Sequence, residues 1–235
     1  MTRWDRTTAA DYRQLGPQAH VDVMAPLLRD VFGDLHGARA LDFGCGPGRL
    51  TAPLAELGAD HVLALDENEE MVAEARRTVA AAGDDLVHRV TVRAGDERAL
   101  PVRPGVEAAL CSLALMMCAT RERLRVTADG LVRSLAPTGV LLLVVTHPCT
   151  RASSFPTFHN EVPDDLDYWA SGTPYRAVLA SSTGSRTAVV TDHHWTIGDY
   201  AGAVAAAGGV IHDLREIPAA MDAEGRPVGP PAYLA

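Results

Sequence analysis

Along this chain, short apolar runs take turns with stripes of apolar residues at helical spacing. Residues 17 to 33, "PQAHVDVMAPLLRDVFG", place Val21, Met24, Leu27, Leu28 and Val31 on one helical face. "ARALDF" predicts a short strand, and "RLTAPLAELG" a helix closed by Gly58. "HVLALD" predicts the next strand. "NEEMVAEARRTVAAAG" reads as a helix from a capping Asn68 to Gly83. Strands follow in "VTVRAGD" and "VEAALCSLAL". "RERLRVTADGLVRSLAPTG" reads as a helix stopped by Pro137 and Gly139, and "VLLLVVTHP" as a strand. Strands that alternate with helices of about a dozen residues indicate a parallel, doubly wound sheet. The unbroken "VLLLVV" suits a strand buried on both faces.

After Pro148 the pattern breaks. Residues 149 to 186 are rich in Ser, Thr, Pro and aromatics, with no clear period. "RTAVVTDHHW" then predicts a strand, "TIGDYAGAVAAAGG" a helix, "VIHDLREIP" a strand and "GPPAYLA" the start of a last one. Neither an internal repeat nor a linker is visible, so the irregular stretch reads as an insertion on a single domain, a lid.

Charge narrows the chemistry. The net charge is −9, which argues against a nucleic-acid partner, because phosphate contacts need clustered cations. All 21 basic residues are arginine. That excludes a Schiff-base lysine, a lysine general base and a P-loop. The polar opening "MTRWDRTTAADYRQLG" lacks the apolar core of a signal peptide. No stretch reaches the roughly 20 apolar residues that span a bilayer. Cys45, Cys111, Cys118 and Cys149 lie far apart, as reduced thiols do, and a cytoplasmic chain is expected.

"LDFGCGPGRL" sets three glycines, Gly44, Gly46 and Gly48, on alternate positions between a strand and a helix. Bare backbone there lets a ligand approach the helix N-terminus closely. A dinucleotide fingerprint wants a third glycine where Arg49 stands, and Asp42 would repel a pyrophosphate. An acid suits a cationic ammonium instead, such as the one on the methionine end of S-adenosylmethionine. The next strand ends in Asp66 followed by Glu67, suited to a ribose diol, and the third in Asp96 and Glu97, near an adenine edge. Acids at the ends of three successive strands lie where open α/β sheets bind ligands.

On these residues the chain resembles the class I S-adenosylmethionine-dependent methyltransferases of small-molecule type. "LDFGCGPGRL" resembles their first motif, "LALDENEEMVAEA" the ribose-binding motif and "VRAGDE" the adenine-binding motif. "EAALCSLALMMC" resembles the fourth strand, and "LVRSLAPTGVLLLVV" the following helix and strand. The resemblance implies a Rossmann-like fold, a mostly parallel seven-stranded sheet with helices on both faces. It implies a helical cap over 1–36, a cofactor-binding core over 37–147, a lid or acceptor insertion over 148–193, and a C-terminal helix and strands over 194–235. It further implies that Gly44, Gly46 and the Cys45 backbone contact the methionine moiety. Asp66 would hold the ribose, Asp96 the adenine amino group, and Ser112 and Leu113 would lie under the sulfonium. Tyr12 would close over the methionine carboxylate. Met116 and Met117 stand where relatives often carry His and Tyr.

Methyl transfer to a small molecule, at O, N, S or C, would turn S-adenosylmethionine into S-adenosylhomocysteine. A hydroxyl or ammonium nucleophile also needs a base, and histidine suits that role near neutrality. His147, at the end of the fifth strand, and His194 are the candidates, with His159 and His193 nearby; each could instead hold a turn or end a strand. Tyr168 and Trp169 could stack on the acceptor or pin the lid. His147, Cys149, Asp192, His193 and His194 can be drawn as a metal site, but the tight repeated spacing of metal ligands is absent, so no metal is expected. Two other readings remain: transfer or cyclisation of the aminocarboxypropyl arm, leaving methylthioadenosine, and a non-catalytic partner subunit. The acceptor and the oligomeric state are not legible.

Overall fold

Strands of the first half alternate their side chains between two helical layers, and that alternation builds the frame. The computed structural model describes Tyr12, Leu15 and residues 18–101, 105–155, 158–180, 187–221 and 226–235. The rest of the expected cap, residues 1–11, 13, 14, 16 and 17, lies outside the described residues. In chain order the cofactor half comprises α1 (Gln18–Phe32), β1 (Arg39–Phe43), α2 (Thr51–Ala55), β2 (His61–Asp66), α3 (Glu69–Ala82), α4 (Asp84–Arg89), β3 (Val90–Ala94), β4 (Val106–Ser112), α5 (Arg121–Ser134) and β5 (Leu135–Thr146). The second half comprises β6 (Ser154–Phe155), β7 (Phe158–Glu161), β8 (Pro174–Ala180), β9 (Thr187–His193), α6 (Ile197–Ala206), β10 (Glu216–Met221) and β11 (Pro227–Leu234).

The main sheet has seven strands in the order β10-β11-β5-β4-β1-β2-β3, and β6 to β9 form a separate four-stranded sheet. β3, β2, β1, β4 and β5 run parallel, while β11 is antiparallel to both β5 and β10. Parallel strands need two covered faces. Ala40, Ala108 and Leu110 face the layer of α1, α2 and α3 with Met24, Leu28, Leu54 and Val72. Leu41, Phe43, Ala109 and Cys111, one residue out of step, face Leu124, Leu131 and Tyr200 of α5 and α6. Each fully buried leucine here stabilises the fold by about 1.5–3 kcal/mol. α3 starts as its sequence predicts: the Asn68 side chain accepts from the backbone N–H groups of Glu70 and Met71. α6 starts on a reciprocal cap between Thr196 and Asp199.

Three local readings need correction. The helix α5 ends at Ser134, not at Gly139, and β5 already pairs with β4 at Leu135. Gly139 passes so close to β4 that a Cβ there would lie 2.6 Å from the Val106 carbonyl oxygen, so this turn belongs to the sheet. "VIHDLREIP" is not one strand. Val210, Ile211 and Leu214 are exposed with no facing layer, and pairing begins only at Glu216. The stretch without a period contains the antiparallel strands β6 to β8. Its alternation is hidden because apolar residues occupy both faces, as the consecutive buried Ala177 and Val178 of β8 do.

Candidate active site

The C-terminal ends of β1, β2 and β4 and one face of the lid sheet enclose a common cavity of about 460 Å³. Asp42, Gly44, Cys45, Gly46, Asp66, Glu67, Asp96, Ser112, Leu113 and Tyr12 all line it. Glu97 does not: it forms an ion pair with Arg123, 2.7 Å away, and Arg123 also meets Glu67 at 3.1 Å.

The glycine loop is folded onto β2. The N–H groups of Gly44 and Cys45 both donate to the Leu65 carbonyl, at 2.8 and 2.9 Å. The Gly46 N–H donates to Asp66 Oδ2 at 2.8 Å, and Asn68 N–H to Oδ1 at 2.9 Å. What the loop offers a ligand is therefore carbonyl oxygen and bare Cα surface, not N–H donors. Gly44 has φ +70°, and a Cβ on it would lie 2.6 Å from the Ala114 Cβ. Gly46, at φ +53°, faces open space, so the loop leaves a cradle that a side chain would fill. Leu113 holds φ +56° although it is not glycine, with its N–H on the Val144 carbonyl. Such backbone costs roughly 1–3 kcal/mol and concentrates at binding sites.

The acids differ by environment. Burial pushes Asp42 up to about 7, against a 2.6 Å hydrogen bond donated by Thr51. Burial also raises Asp66, partly offset by its two backbone N–H bonds. Asp96 is held low chiefly by Arg98, whose Nε lies 3.0 and 3.1 Å from its two oxygens. Arg49, the residue in the third-glycine place, lays its guanidinium 4.7 Å from the Tyr12 ring centroid and donates to the Tyr12 carbonyl. It thereby ties the leading segment to the glycine loop.

The structure brings none of the three expected catalytic residues to the cavity. His147 is 3% exposed; its Nε2 meets Glu216 at 3.0 Å and its Nδ1 accepts from Cys149 N–H. That ring joins β5 to β10 and fixes the turn before the lid. His194 Nδ1 accepts from Arg151 Nε at 2.9 Å, so its Nε2 carries the proton and donates to the Tyr168 carbonyl. Burial lowers its pKa, in keeping with a neutral ring. The Tyr168 hydroxyl accepts from the N–H of Ile197 at the start of α6. The tyrosine pins the lid, and its neighbour Trp169 is exposed.

Two residues without an expected role in methyl transfer line the lid end: Asp192, considered above only as a metal ligand, and Asn160. Asp192 is 3% exposed, and burial raises it to about 6. It was visible only as part of "DHHW", where the histidines drew attention. Among the described residues, no group of three or more His, Cys, Asp and Glu side chains is arranged to hold a metal, and no helix is long and apolar enough to cross a membrane.

The residues fit S-adenosylmethionine. An open cradle lies over Gly46, the buried Asp42 and the half-buried Asp66 stand at the C-terminal ends of β1 and β2, and the buried Ser112 Oγ, lining the same cavity, has no hydrogen-bond partner among the described residues. Residues 40–139 match a methyltransferase domain family. N-demethylindolmycin N-methyltransferase of Streptomyces griseus is 28% identical over 207 residues, 87% of this chain and 82% of that protein. An S-adenosylmethionine-dependent methyltransferase from Mesorhizobium loti superposes with TM-score 0.64 at 26% identity, covering 91% of this chain and 97% of that one. A glycopeptide N-methyltransferase crystallised with S-adenosylmethionine shares the fold, with TM-score 0.61 at 17% identity over 89% of this chain and 84% of that one. Residues 40–139 thus form a methyltransferase domain, and matched motifs, strand order and cavity together make this chain an enzyme whose cofactor is S-adenosylmethionine.

Proposed function

We propose that the chain methylates a small, largely apolar molecule seated between the glycine loop and the lid sheet. One observation carries this: the cofactor end and the lid face bound one continuous cavity, and the lid contributes Phe158, Ala177, Leu179 and Val190 to it. The Streptomyces griseus relative, whose printed name specifies a small-molecule N-methylation, supports the reading. The lid is residues 148–193, the cofactor-binding core 37–147, the leading cap 1–36 and the closing unit 194–235.

Bound cofactor supplies an electrophilic methyl group on a sulfonium. The protein's part is placement. Asp66 would hold the ribose hydroxyls. Asp96, freed from Arg98, would take the adenine amino group. Asp42 and the carbonyls of the Gly44–Gly46 loop would hold the methionine ammonium. Arg49 and Tyr12 would hold the methionine carboxylate, the arginine as its charge partner. Ser112 and Leu113 would line the sulfonium's side of the cavity. Met116 and Met117 give the centre of the cavity apolar walls, which exclude water while charge disperses in the reaction.

Product analysis tests this reading. The purified chain is incubated with S-adenosylmethionine, with and without a small-molecule extract of its source cells, and nucleosides are quantified by mass spectrometry. Extract-dependent S-adenosylhomocysteine, with one methyl group gained by an acceptor, is expected. Methylthioadenosine above the spontaneous background, or no product from cofactor-bound protein, contradicts it.

A further inference from the structure

We infer that the acceptor is an amine and that Asp192, on the lid sheet, is the residue that holds its nitrogen and receives its proton. The inference rests on the methyltransferase reading and goes beyond it to the substrate class.

Side chains alternate along a strand, so Asn160 of β7, Ala177 of β8 and Val190 of β9 share one face, and Asp192 follows two residues after Val190 on that face. All four line the cavity. Of these four, Ala177 and Val190 are apolar, and Asn160 and Asp192 each turn an acceptor oxygen to the cavity side of the sheet, where Tyr175 pairs with Asp192 but does not line the cavity. Asn160 donates its Nδ2 to the Arg151 carbonyl, and its buried Oδ1 has no partner among the described residues.

The buried Arg151 is the positive charge near Asp192, yet it makes no hydrogen bond to it. Arg151 spends its donors on neutral oxygens and one ring nitrogen. Nε goes to His194, one terminal nitrogen to Thr146 at 3.0 Å and to the Tyr175 hydroxyl, and the other to the Trp195 carbonyl. None reaches Asp192, and no hydrogen bond among the described residues ends on it. A buried carboxylate without a donor is costly, and a ligand that brings donors removes that cost. An ammonium or amine brings two or more N–H groups; a hydroxyl brings one.

The chemistry closes. The N–H bond of the bound ammonium breaks, an O–H bond forms on Asp192, and the lone pair left on nitrogen is the nucleophile that methylation needs. The groups around Asp192 are Arg151, Tyr12, Tyr175 and Tyr200, the last three all raised by burial. From acid to mildly basic pH these tyrosines stay neutral and the arginine stays charged, so Asp192 is the group among them that titrates.

The test uses the full chain saturated with S-adenosylhomocysteine and two probes of matched shape, benzylamine and benzyl alcohol, by calorimetry. Benzylamine is expected to bind about tenfold or more tighter than the alcohol above neutrality, the difference expected for a hydrogen bond to a charged group. The preference shrinks as pH falls through about 6, where Asp192 takes up a proton, while alcohol binding stays flat. Asp192→Asn abolishes the preference. Equal binding, no binding of either probe at about 10 mM, or a preference that survives Asp192→Asn overturns the inference. Should Asp192→Asn fail to fold, the wild-type pH series decides, and a pH-independent preference overturns it. Failure to bind S-adenosylhomocysteine would instead fault the assignment of the cofactor end.

Discussion

The two ends of the cavity are built on opposite plans. At the cofactor end, short loops after parallel strands carry the acids, and their positions follow from where the strands stop. At the lid end, an antiparallel sheet presents one face, and its polar groups are set by side-chain networks behind it. Asp66 is where any doubly wound sheet would put a ligand-binding acid. His147 and His194 sit close by in sequence terms, yet hydrogen bonds take both nitrogens of each ring. Strand position brings the expected residues to the cavity at the first end, and residue type does not at the second.

The largest effect should come from the lid's buried cation. Arg151→Met strips His194, Thr146 and Tyr175 of a shared donor and leaves Asp192 buried without a positive neighbour. A stability loss of about 3–5 kcal/mol is expected in denaturant unfolding. Folded protein should still bind cofactor, and a parallel loss of cofactor affinity would erase the division between the ends.

Next in size, Asp66→Ala should weaken cofactor binding by about 1–3 kcal/mol, the cost of losing hydrogen bonds to a charged acceptor. Unchanged affinity by calorimetry would remove it as the ribose partner.

The pH dependence sharpens the cofactor end further. Asp42 sits at about 7 in the free chain, and a bound ammonium favours its ionised form. Cofactor affinity should be level above about pH 7 and fall as pH drops below it. In the free chain the sign is reversed. The raised carboxyl contributes stability present below its unfolded value near 4, and that contribution is lost as pH rises through about 7. An affinity that rises toward acid pH would remove Asp42 from the ammonium site.

The smallest effect is expected at His147. His147→Ala breaks the links to Glu216 and Cys149 and should lower stability by about 1 kcal/mol. Turnover per folded molecule should stay at the wild-type level, and its collapse would return the ring to catalysis.

Periodicity and punctuation located β1, β2 and β4, which are covered on both faces, and α3, which is capped by its own Asn68. The lid's strands were hidden by apolar residues on both faces. Asp192 was hidden for a different reason. A carboxylate becomes a functional candidate through what fails to reach it, and that depends on Arg151, 41 residues earlier, turning its donors elsewhere. No local pattern records such a choice. Glu97 is the opposite case: it follows β3 beside Asp96, but Arg123 of α5 takes it.

The division of the cavity is tested most directly by titrating S-adenosylmethionine into three proteins by calorimetry: wild type, Asp66→Ala and Asp192→Asn. The account predicts a loss of tenfold or more at Asp66 and wild-type affinity at Asp192, within about twofold. Equal losses at both, or a loss at Asp192 alone, would mean that the lid carboxylate serves the cofactor and that the two ends are not separate.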